Sequence, residues 1–597
     1  MSLIPLFKSG NKQETIVKII KIAILFFVGI FLIGNFNPYF EGSDSYSYAL
    51  TAKQLSQGNL FYTHDFLETR EDEFTPHDVM ITQDGKNALP SGYAGFFGIT
   101  TASYILAGNY GLFYFGPIAG IIFLIVCERV STNLFGKYVG LLTLLFLATN
   151  HLFYRSSLEL QTESIFSIFA VMGCYFLIKF FQTNNDKYIL GCSTFLVIST
   201  LMRTNGIIYF PLELGLLFGF FIIIKIKSKT SLNKINPYSK ILTKFSSLNK
   251  KRIIKIFFLA IIPWLIFLIF YFSYFGYFYD DPLTNRVIVA QGEDNHDVKL
   301  SSLLSLESKT FDNAKQYSKW LLPFQFPRIV DATNYFSTVD DIFGNNWLGI
   351  LALSVLGFFL IFSLYKKNNL LTMIIFTTII VGTVWFFSAL TSEERALERA
   401  LPGRYMFPAF SLFYMMLGFM IIKFLKFSNI KKSDSFKILP IIKISSVSFL
   451  VVFFLLAFHF SPPIQAIYHD EFRMENPIEL NQRYPLDTEG LSKNDILISI
   501  NFEAIDYGLI QFKATLNDKE ISQKSLDLLK KTIEDDYDFY ILKNPSDPKD
   551  LIIYKNLAEQ SELIIKDYSE SFCKVELLTK DQKESNQFKN DVKCFNY

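Results

Sequence analysis

The chain has 597 residues, of which half are hydrophobic and 17% are aromatic, and its formal net charge is +2. Apolar runs of this number and length exclude a soluble globular protein and indicate a polytopic membrane protein. Its basic residues lie at the ends of apolar segments instead of on one surface, so the charge pattern predicts no nucleic-acid partner.

The charge is divided unevenly along the chain. Residues 465–597 carry 26 acidic and 17 basic residues, a net charge of −9, which leaves +11 for residues 1–464. This shift predicts two domains: an apolar, basic membrane domain over residues 1–464 and an acidic C-terminal domain over residues 465–597.

Apolar stretches of membrane-spanning length, about 20 residues, occur throughout the first domain. Eleven of them lie at residues 16–36, 111–130, 138–153, 164–181, 187–204, 206–225, 254–274, 346–365, 369–389, 405–425 and 440–460. A twelfth, shorter stretch at residues 91–107 follows Pro90 and is rich in Gly, Ser and Thr. We predict about 11 transmembrane helices, of which the first is a retained span and not a cleaved signal peptide.

The orientation follows from the positive-inside rule. Residues Lys225 to Lys255 include ten basic and no acidic residues, which places this segment in the cytoplasm. Four lysines within the first 21 residues place the N-terminus there too. Two cytoplasmic segments must be separated by an even number of crossings, so we interpret residues 91–107 as an outer juxtamembrane helix.

With a cytoplasmic N-terminus, eleven crossings place the acidic C-terminal domain on the extracytoplasmic side of the membrane. We therefore predict a multi-pass protein of the plasma membrane. The extracytoplasmic loops are then residues 37–110, 154–163, 275–345 and 390–405. Most polar residues of the membrane domain gather in these loops. A transporter more often has ionisable residues in the middle of its spans, and we expect almost none here.

The first candidate site residue follows the first span, in the stretch FEGSDSYSYALTAKQLSQGNLF. A short helix is predicted from Ser45 to Gln57, with Ser43 or Asp44 as its N-cap and Gly58 at its end. Asp44 is either such a cap or a functional carboxylate beside the membrane.

Two further clusters follow in the next outer segments. Arg155, Glu159 and Glu163 are spaced by four residues, which predicts one helical face, either a self-paired surface or part of a site. Arg203 interrupts an apolar run, so it either snorkels to water or meets an anion.

The last cluster precedes the span at residues 405–425, in the stretch ALERALPGRYMFPAF. Arg399 and Arg404 are either an ordinary charged span end or phosphate ligands, since a guanidinium group binds phosphate through two parallel hydrogen bonds.

The order of these motifs resembles the GT-C membrane glycosyltransferases, which transfer sugars from polyprenyl phosphates. The aminoarabinose transferases acting on lipid A and the protein O-mannosyltransferases are the most similar groups. The resemblance covers residues 16–425 and rests on the following features: Asp44, Tyr48, Ala49 and Gly58, the Pro90-led helix, Glu163, Arg203, the Arg404–Tyr405 pair, Pro408 and an outer C-terminal domain.

The resemblance implies a GT-C-type fold and a set of residue roles. Asp44 would be the catalytic base. Arg404, Arg203 and Lys86 would bind the donor phosphate, and Glu163 would orient the acceptor or hold a divalent cation. Tyr48, Tyr405, Arg155 and Arg399 would support the site. Asp44 is followed by Ser45, where the family commonly has a second acid, and Leu89 replaces a lysine that some members place before the proline.

The implied reaction is the transfer of a hexose or pentose from a dolichyl or undecaprenyl phosphate to a hydroxyl of a glycan, lipid or protein, with inversion at the anomeric carbon. The spacing of the carboxylates decides neither for nor against Mg²⁺ or Mn²⁺, and no other cofactor is implied. Alternative functions are a lipid-linked glycan flippase, a polysaccharide polymerase or ligase, and a receptor whose outer domain binds a ligand.

The C-terminal domain is predicted to be a small α/β unit. Its strand-like runs are DILISIN, DFYILK, DLIIYK, ELIIKDY and KVELLT, and SLDLLKKTIED is a predicted helix. Cys573 and Cys594 lie in this domain, and their spacing leaves open whether they form a disulfide.

Overall fold

A computed structural model provides the structure of the chain. It describes residues 10–35, 43–58, 62–63, 79–81, 87–90, 94–229, 250–279, 313–315, 317–318, 321, 347–366, 370–390, 406–427, 496–498, 510–512, 516–517, 520–521, 523–534, 538–542, 548–560, 562–568 and 572–578.

The membrane domain is a bundle of α-helices. Their bounds are α1 Gly10–Gly34, α2 Ser43–Ser56, α3 Ala94–Phe113, α4 Phe115–Phe135, α5 Lys137–Ala148, α6 His151–Leu158, α7 Glu163–Thr183, α8 Asp186–Met202, α9 Tyr209–Lys229, α10 Lys250–Tyr279, α11 Trp347–Lys366, α12 Leu370–Leu390 and α13 Phe407–Phe427. A 3₁₀ helix, Thr204–Ile208, joins α8 to α9. Three short strands, β1 Tyr62–Thr63, β2 Val79–Ile81 and β3 Asn87–Pro90, form an antiparallel sheet between α2 and α3.

Seven helices within the described residues are long and apolar enough to cross a membrane, which agrees with the predicted polytopic class. They lie at Gln13–Gly34, Phe115–Phe135, Glu163–Thr183, Thr204–Ile222, Lys250–Tyr274, Leu371–Ser388 and Phe407–Leu425. Between these, α5 has 12 residues and α8 has 17. The predicted total of eleven remains a prediction, since residues 440–460 lie outside the described residues.

The predicted juxtamembrane stretch folds into a helix that turns back on itself. Helix α3 is interrupted at Ala107 and at Gly108, whose φ of 59° lies in the left-handed region. Ser103 Oγ donates to the carbonyl of Gly111 at 2.7 Å, and a Cβ at Gly111 would overlap the Ser103 carbonyl. The straight segment thus ends at Leu106, well short of the roughly 20 residues that a spanning helix requires.

Successive helices run in opposite directions, which divides the charged groups between two ends of the bundle. At one end, Lys21 of α1 forms an ion pair with Glu128 of α4, and Arg252 of α10 donates to Asp186 at 3.1 Å. We call this the Lys21 end. The opposite end contains the starts of α2 and α7 and the end of α8, and we call it the Glu163 end.

The C-terminal residues form an α/β unit with its own buried core. The described strands are β4 Ile496–Ile498, β5 Ile510–Phe512, β6 Leu516–Asn517, β7 Glu520–Ile521, β8 Phe539–Leu542, β9 Leu563–Asp567 and β10 Phe572–Leu577. Five of them form a mixed sheet in the order β5-β4-β8-β10-β9, with β4 parallel to both neighbours. Helices α14 Gln523–Glu534 and α15 Pro548–Glu559 accompany the sheet, and residues from both lie in the core.

One predicted strand of this unit is wrong. The run DLIIYK lies inside α15, where Ile553, Tyr554 and Leu557 are buried. This is the spacing of one helical face, and Pro548 occupies the first helical position, where its missing N–H has no cost. Cys573 in β10 is disulfide-bonded, and Cys594 lies outside the described residues.

Candidate functional site

Asp44 lies inside the first turn of α2 and not before it. The helix begins at Ser43, two residues earlier than predicted, and ends at Ser56, after which Gly58 has a φ of 82°. The predicted glycine stop is confirmed, and the helix starts two residues before the approximate start predicted at Ser45. A carboxylate in the first turn is favoured by the helix dipole, so the position suits Asp44 without a capping role.

Helix α2 is held against α3 by aromatic packing. Tyr48 is 1% exposed, and its ring lies edge-on to Phe96 with 4.9 Å between centroids. Phe96 in turn contacts the ring of Phe115 in α4 at 5.4 Å. Tyr48, predicted to support the site, therefore fixes the position of the helix that carries Asp44.

Ser45 joins α2 to the segment that precedes Glu163. Its side chain is fully buried, and its Oγ accepts a hydrogen bond from Gln161 Nε2 at 2.9 Å across 116 positions of sequence. Gln161 Nε2 also donates to Glu159 Oε2 at 3.1 Å. Ser45, which stands where GT-C glycosyltransferases commonly have a second acid, thus connects α2 to the segment that leads into α7.

The prediction that Arg155, Glu159 and Glu163 share one helical face is wrong. Helix α6 ends at Leu158, and Glu159 is extended with φ −101° and ψ 162°. Glu163 is the first residue of α7. The break has a packing reason: Gly116 and Gly120 of α4 lie so close that an added Cβ would overlap the carbonyl of Glu159 and the side chain of Ser157, respectively. Arg155 lies in α6, whereas Glu163 begins the next helix, α7.

The sequence left two alternatives for Arg203, snorkelling to water or contact with an anion. The structure shows contact with an anion inside the protein. It is 3% exposed, and its Nη1 donates to Glu163 Oε1 at 2.6 Å and to Thr162 Oγ1 at 2.7 Å. Glu163 is 1% exposed. A buried guanidinium requires such a partner, because an uncompensated charge in a low-dielectric interior is very costly.

The local chain path explains why Arg203 points to α7. Helix α8 ends at Met202, and Arg203 itself adopts an extended conformation, φ −155° and ψ 121°, before the 3₁₀ turn. The turn packs tightly, since a Cβ on Gly206 would approach Thr200 Oγ1 to 2.8 Å. Helices α7 and α8 also share a hydrogen bond from Ser199 Oγ to the Phe166 carbonyl at 3.2 Å.

The structure therefore brings together Glu163 and Arg203, and it places α2 beside the segment that leads to Glu163. The remaining predicted ligands, Lys86, Arg399, Arg404 and Tyr405, lie outside the described residues. Among the residues that the structure does describe, no group of three or more His, Cys, Asp or Glu side chains could hold a metal ion.

Sequence reasoning missed Gln161, whose role depends on a contact with a residue 116 positions away. It also missed Glu213. The sequence predicts almost no ionisable residue in the middle of a span, and Glu213 is such a residue: it is 1% exposed within the candidate span Thr204–Ile222. Its Oε1 accepts from Ser193 at 2.6 Å and its Oε2 from Trp264 Nε1 at 3.0 Å.

Comparison with known families gives one sequence match. Residues 99–248 match the family model described as dolichyl-phosphate-mannose-protein mannosyltransferase. This segment includes Gln161, Glu163 and Arg203 and ends before the predicted outer loop at residues 275–345. The match confirms the predicted resemblance to the GT-C membrane glycosyltransferase superfamily. No curated protein matches the chain by sequence.

Solved structures also match the chain over most of its length, and two of them are as follows. The crystal structure of ArnT from Cupriavidus metallidurans bound to undecaprenyl phosphate has 11% identity and a TM-score of 0.46, covering 95% of this chain and 98% of that chain. The archaeal oligosaccharyltransferase AglB from Archaeoglobus fulgidus, in complex with an inhibitory peptide and a dolichol phosphate, has 11% identity and a TM-score of 0.46, covering 90% of this chain and 70% of that chain. At these scores we base no residue assignment on either structure.

Proposed function

We propose that this chain, whose residues 99–248 match a GT-C family model, is a membrane glycosyltransferase that moves a sugar from a polyprenyl phosphate to an acceptor hydroxyl on the extracytoplasmic face. The description of that model, dolichyl-phosphate-mannose-protein mannosyltransferase, supports a lipid-phosphate-linked sugar as donor.

One hydrogen bond supports the proposal at the level of individual residues. The hydrogen bond from Gln161 Nε2 to Ser45 Oγ joins the helix of Asp44 to the segment that leads directly into Glu163. Asp44, Glu163 and Arg203 come from three separate parts of the sequence. The hydrogen bond between Gln161 and Ser45 and the ion pair between Arg203 and Glu163 bring these parts together at the Glu163 end. Convergence of polar groups from several elements in an otherwise apolar bundle is typical of an active site.

The proposed reaction is a direct displacement. The Asp44 carboxylate takes the proton of the acceptor hydroxyl while the hydroxyl oxygen forms a bond to the anomeric carbon of the sugar. The bond from that carbon to the phosphate oxygen breaks, and its electron pair leaves with the polyprenyl phosphate. General-base catalysis of this kind contributes typically about 10²- to 10⁴-fold, and attack from the side opposite the phosphate inverts the anomeric centre.

Cationic groups are needed where charge gathers on the leaving phosphate. Arg404 remains the leading proposed ligand, with Lys86 as a second. Arg203 already donates through Nη1 to Glu163 and Thr162. We therefore propose that Arg203 acts mainly by fixing Glu163, and that Glu163, whose charge this guanidinium balances, orients the acceptor instead of binding a divalent cation.

The location of the site supports a lipid-linked donor. The segment between α9 and α10 carries only basic charges, so the positive-inside rule predicts that it is cytoplasmic. Helix α10, which follows this segment, begins at the Lys21 end, where Arg252 pairs with Asp186. The Glu163 end then faces outward, where nucleotide sugars are not available. The disulfide at Cys573 supports the same assignment for the C-terminal domain, because disulfides persist mainly in oxidising compartments.

The experiment that tests the reaction class uses the purified full-length chain in nanodiscs. Undecaprenyl-phosphate-linked mannose, glucose, galactose and aminoarabinose are each supplied with a candidate acceptor, and release of undecaprenyl phosphate is followed. We expect release from at least one donor, with the transferred sugar in the opposite anomeric configuration. A flippase would move these lipids between leaflets with the sugar–phosphate bond intact, and that result would overturn the proposal.

A further inference from the structure

The side-chain amide of Gln161 is buried at the meeting point of α2 and α7. Gln161 is 7% exposed, and it lies two residues before Glu163 in the non-helical segment between α6 and α7. Its Nε2 donates two hydrogen bonds, to Ser45 Oγ at 2.9 Å and to Glu159 Oε2 at 3.1 Å. Both hydrogens of the amide nitrogen are therefore used within the protein.

These contacts fix the orientation of the amide. The oxygen and nitrogen of a glutamine amide are distinguished by their hydrogen-bond partners, and an ionised carboxylate only accepts. The group facing Glu159 must then be the nitrogen. Gln161 Oε1 consequently points away from both Glu159 and Ser45.

Gln161 Oε1 is buried and receives no hydrogen bond from any residue that the structure describes. Buried polar atoms in folded proteins almost always have a partner, because an unsatisfied one retains the full cost of losing water. Gln161 Oε1 lies in the segment that Ser45 joins to the helix of Asp44, and there it is an acceptor to which a bound molecule can donate.

We propose that Gln161 Oε1 accepts a hydrogen bond from a hydroxyl group of the sugar carried by the polyprenyl phosphate, an assignment that rests on the proposed transferase function. The chemistry of the reaction excludes the reacting hydroxyl of the acceptor. The reacting acceptor hydroxyl gives its proton to the base, so it has no hydrogen left for Gln161. A hexosyl or pentosyl group keeps several hydroxyls that take no part in bond breaking, and each can donate.

The consequence is a specificity determinant in the transferase. A site built to bond a substrate hydroxyl discriminates against the analogue that lacks it, because the protein atom is then left unpaired. For a neutral hydrogen bond the expected discrimination is about tenfold. Gln161 thus distinguishes sugars by the presence of one hydroxyl group.

The test measures KM for the donor with full-length protein in nanodiscs, by release of undecaprenyl phosphate. The probes are the best donor among the four sugars named above and its monodeoxy analogues. The variants are Gln161→Met, which keeps the length of the side chain and removes both polar atoms, and Ser45→Ala, which breaks the bridge to α2 and keeps Gln161 Oε1. The comparison separates sugar binding from the structural bridge.

We expect wild-type KM to rise about tenfold for one deoxy analogue, and Gln161→Met to raise KM by a similar factor for the intact donor. Gln161→Met should then show no further loss with that same analogue, while Ser45→Ala should still discriminate. Equal wild-type KM for every analogue would overturn the inference, even if Gln161→Met fails to fold, and so would equal effects of the two variants. Absence of release from any donor by wild type would overturn the transferase function and this inference together.

Discussion

Arg203 and Glu163 illustrate how a buried ion pair differs from one at the surface. Their side chains are 4% and 1% exposed, and the pair joins the end of α8 to the start of α7. Removing one partner from such a pair leaves the other charged and desolvated, whereas replacing both by apolar groups removes the problem.

We therefore expect Glu163→Met and Arg203→Met each to lower the free energy of unfolding by about 3–5 kcal/mol. The double variant should lose less than either single variant. Apparent unfolding midpoints in detergent, measured for the complete double-mutant cycle, provide the test. Additive losses in the double variant would show that the two charges do not depend on each other.

A matched surface pair provides the control. Lys530 and Glu562 lie 2.8 Å apart, and the glutamate side chain is 46% exposed. Glu562→Met should change the stability by less than about 1 kcal/mol, because water and salt screen exposed pairs.

At the scale of single residues, the sequence identified Arg203 and Glu163 but not their pairing. An arginine in an apolar run signals a required partner, and that much was predictable. The partner lies 40 positions away, so its identity depends on how α7 packs against α8. Gln161 gave no signal at all, since its importance comes from burial and from the contact with Ser45.

Among the elements, α8, α9 and α10 share a polar contact in the middle of the bundle. Glu213 of α9 accepts from Ser193 of α8 and from Trp264 of α10. Ser193 can instead donate to the Ile189 carbonyl, 3.1 Å away within its own helix. The indole N–H of Trp264 is therefore the group that depends most on Glu213 among these donors.

We expect Glu213→Leu to destabilise the bundle by about 1–3 kcal/mol, the cost of leaving a buried donor unsatisfied. Adding Trp264→Phe, which removes the indole N–H, should recover part of this loss. Thermal unfolding of the two variants in the same detergent measures the difference. A double variant that is no more stable than Glu213→Leu alone would contradict this role of Glu213.

Elements with a strong periodic signal were predicted well, and the failures have identifiable causes. The long apolar helices and the end of α2 at Gly58 follow from local sequence. The run DLIIYK failed because a short apolar run fits a strand or a helix equally well, and here packing under the sheet selects the helix. The break after Leu158 failed because it is imposed by the close approach of α4.

For the whole molecule, the two ends of the bundle carry separate sets of charged groups: Lys21 pairs with Glu128 at one end, and Arg203 pairs with Glu163 at the other. The turn between α4 and α5 at Gly136 belongs to the Lys21 end, and the reversal of α3 at Ala107 belongs to the Glu163 end. Because α4 is the first candidate span after that reversal, the two positions should lie on opposite sides of the membrane.

Topology reporters inserted after Ala107 and after Gly136 test this arrangement. We expect the first to be extracytoplasmic and the second cytoplasmic. If the reporter after Ala107 is cytoplasmic, the assignment of the Glu163 end to the extracytoplasmic side is wrong.

The functional claim depends most directly on Asp44. The decisive measurement is the rate of undecaprenyl-phosphate release by wild type and by Asp44→Asn at equal amounts of folded protein. Asp527→Asn is the matched control, because Asp527 is an exposed residue of α14 in the C-terminal unit. The account predicts a loss of about 10²- to 10⁴-fold for Asp44→Asn and an unchanged rate for Asp527→Asn. Equal release by wild type and Asp44→Asn would contradict it.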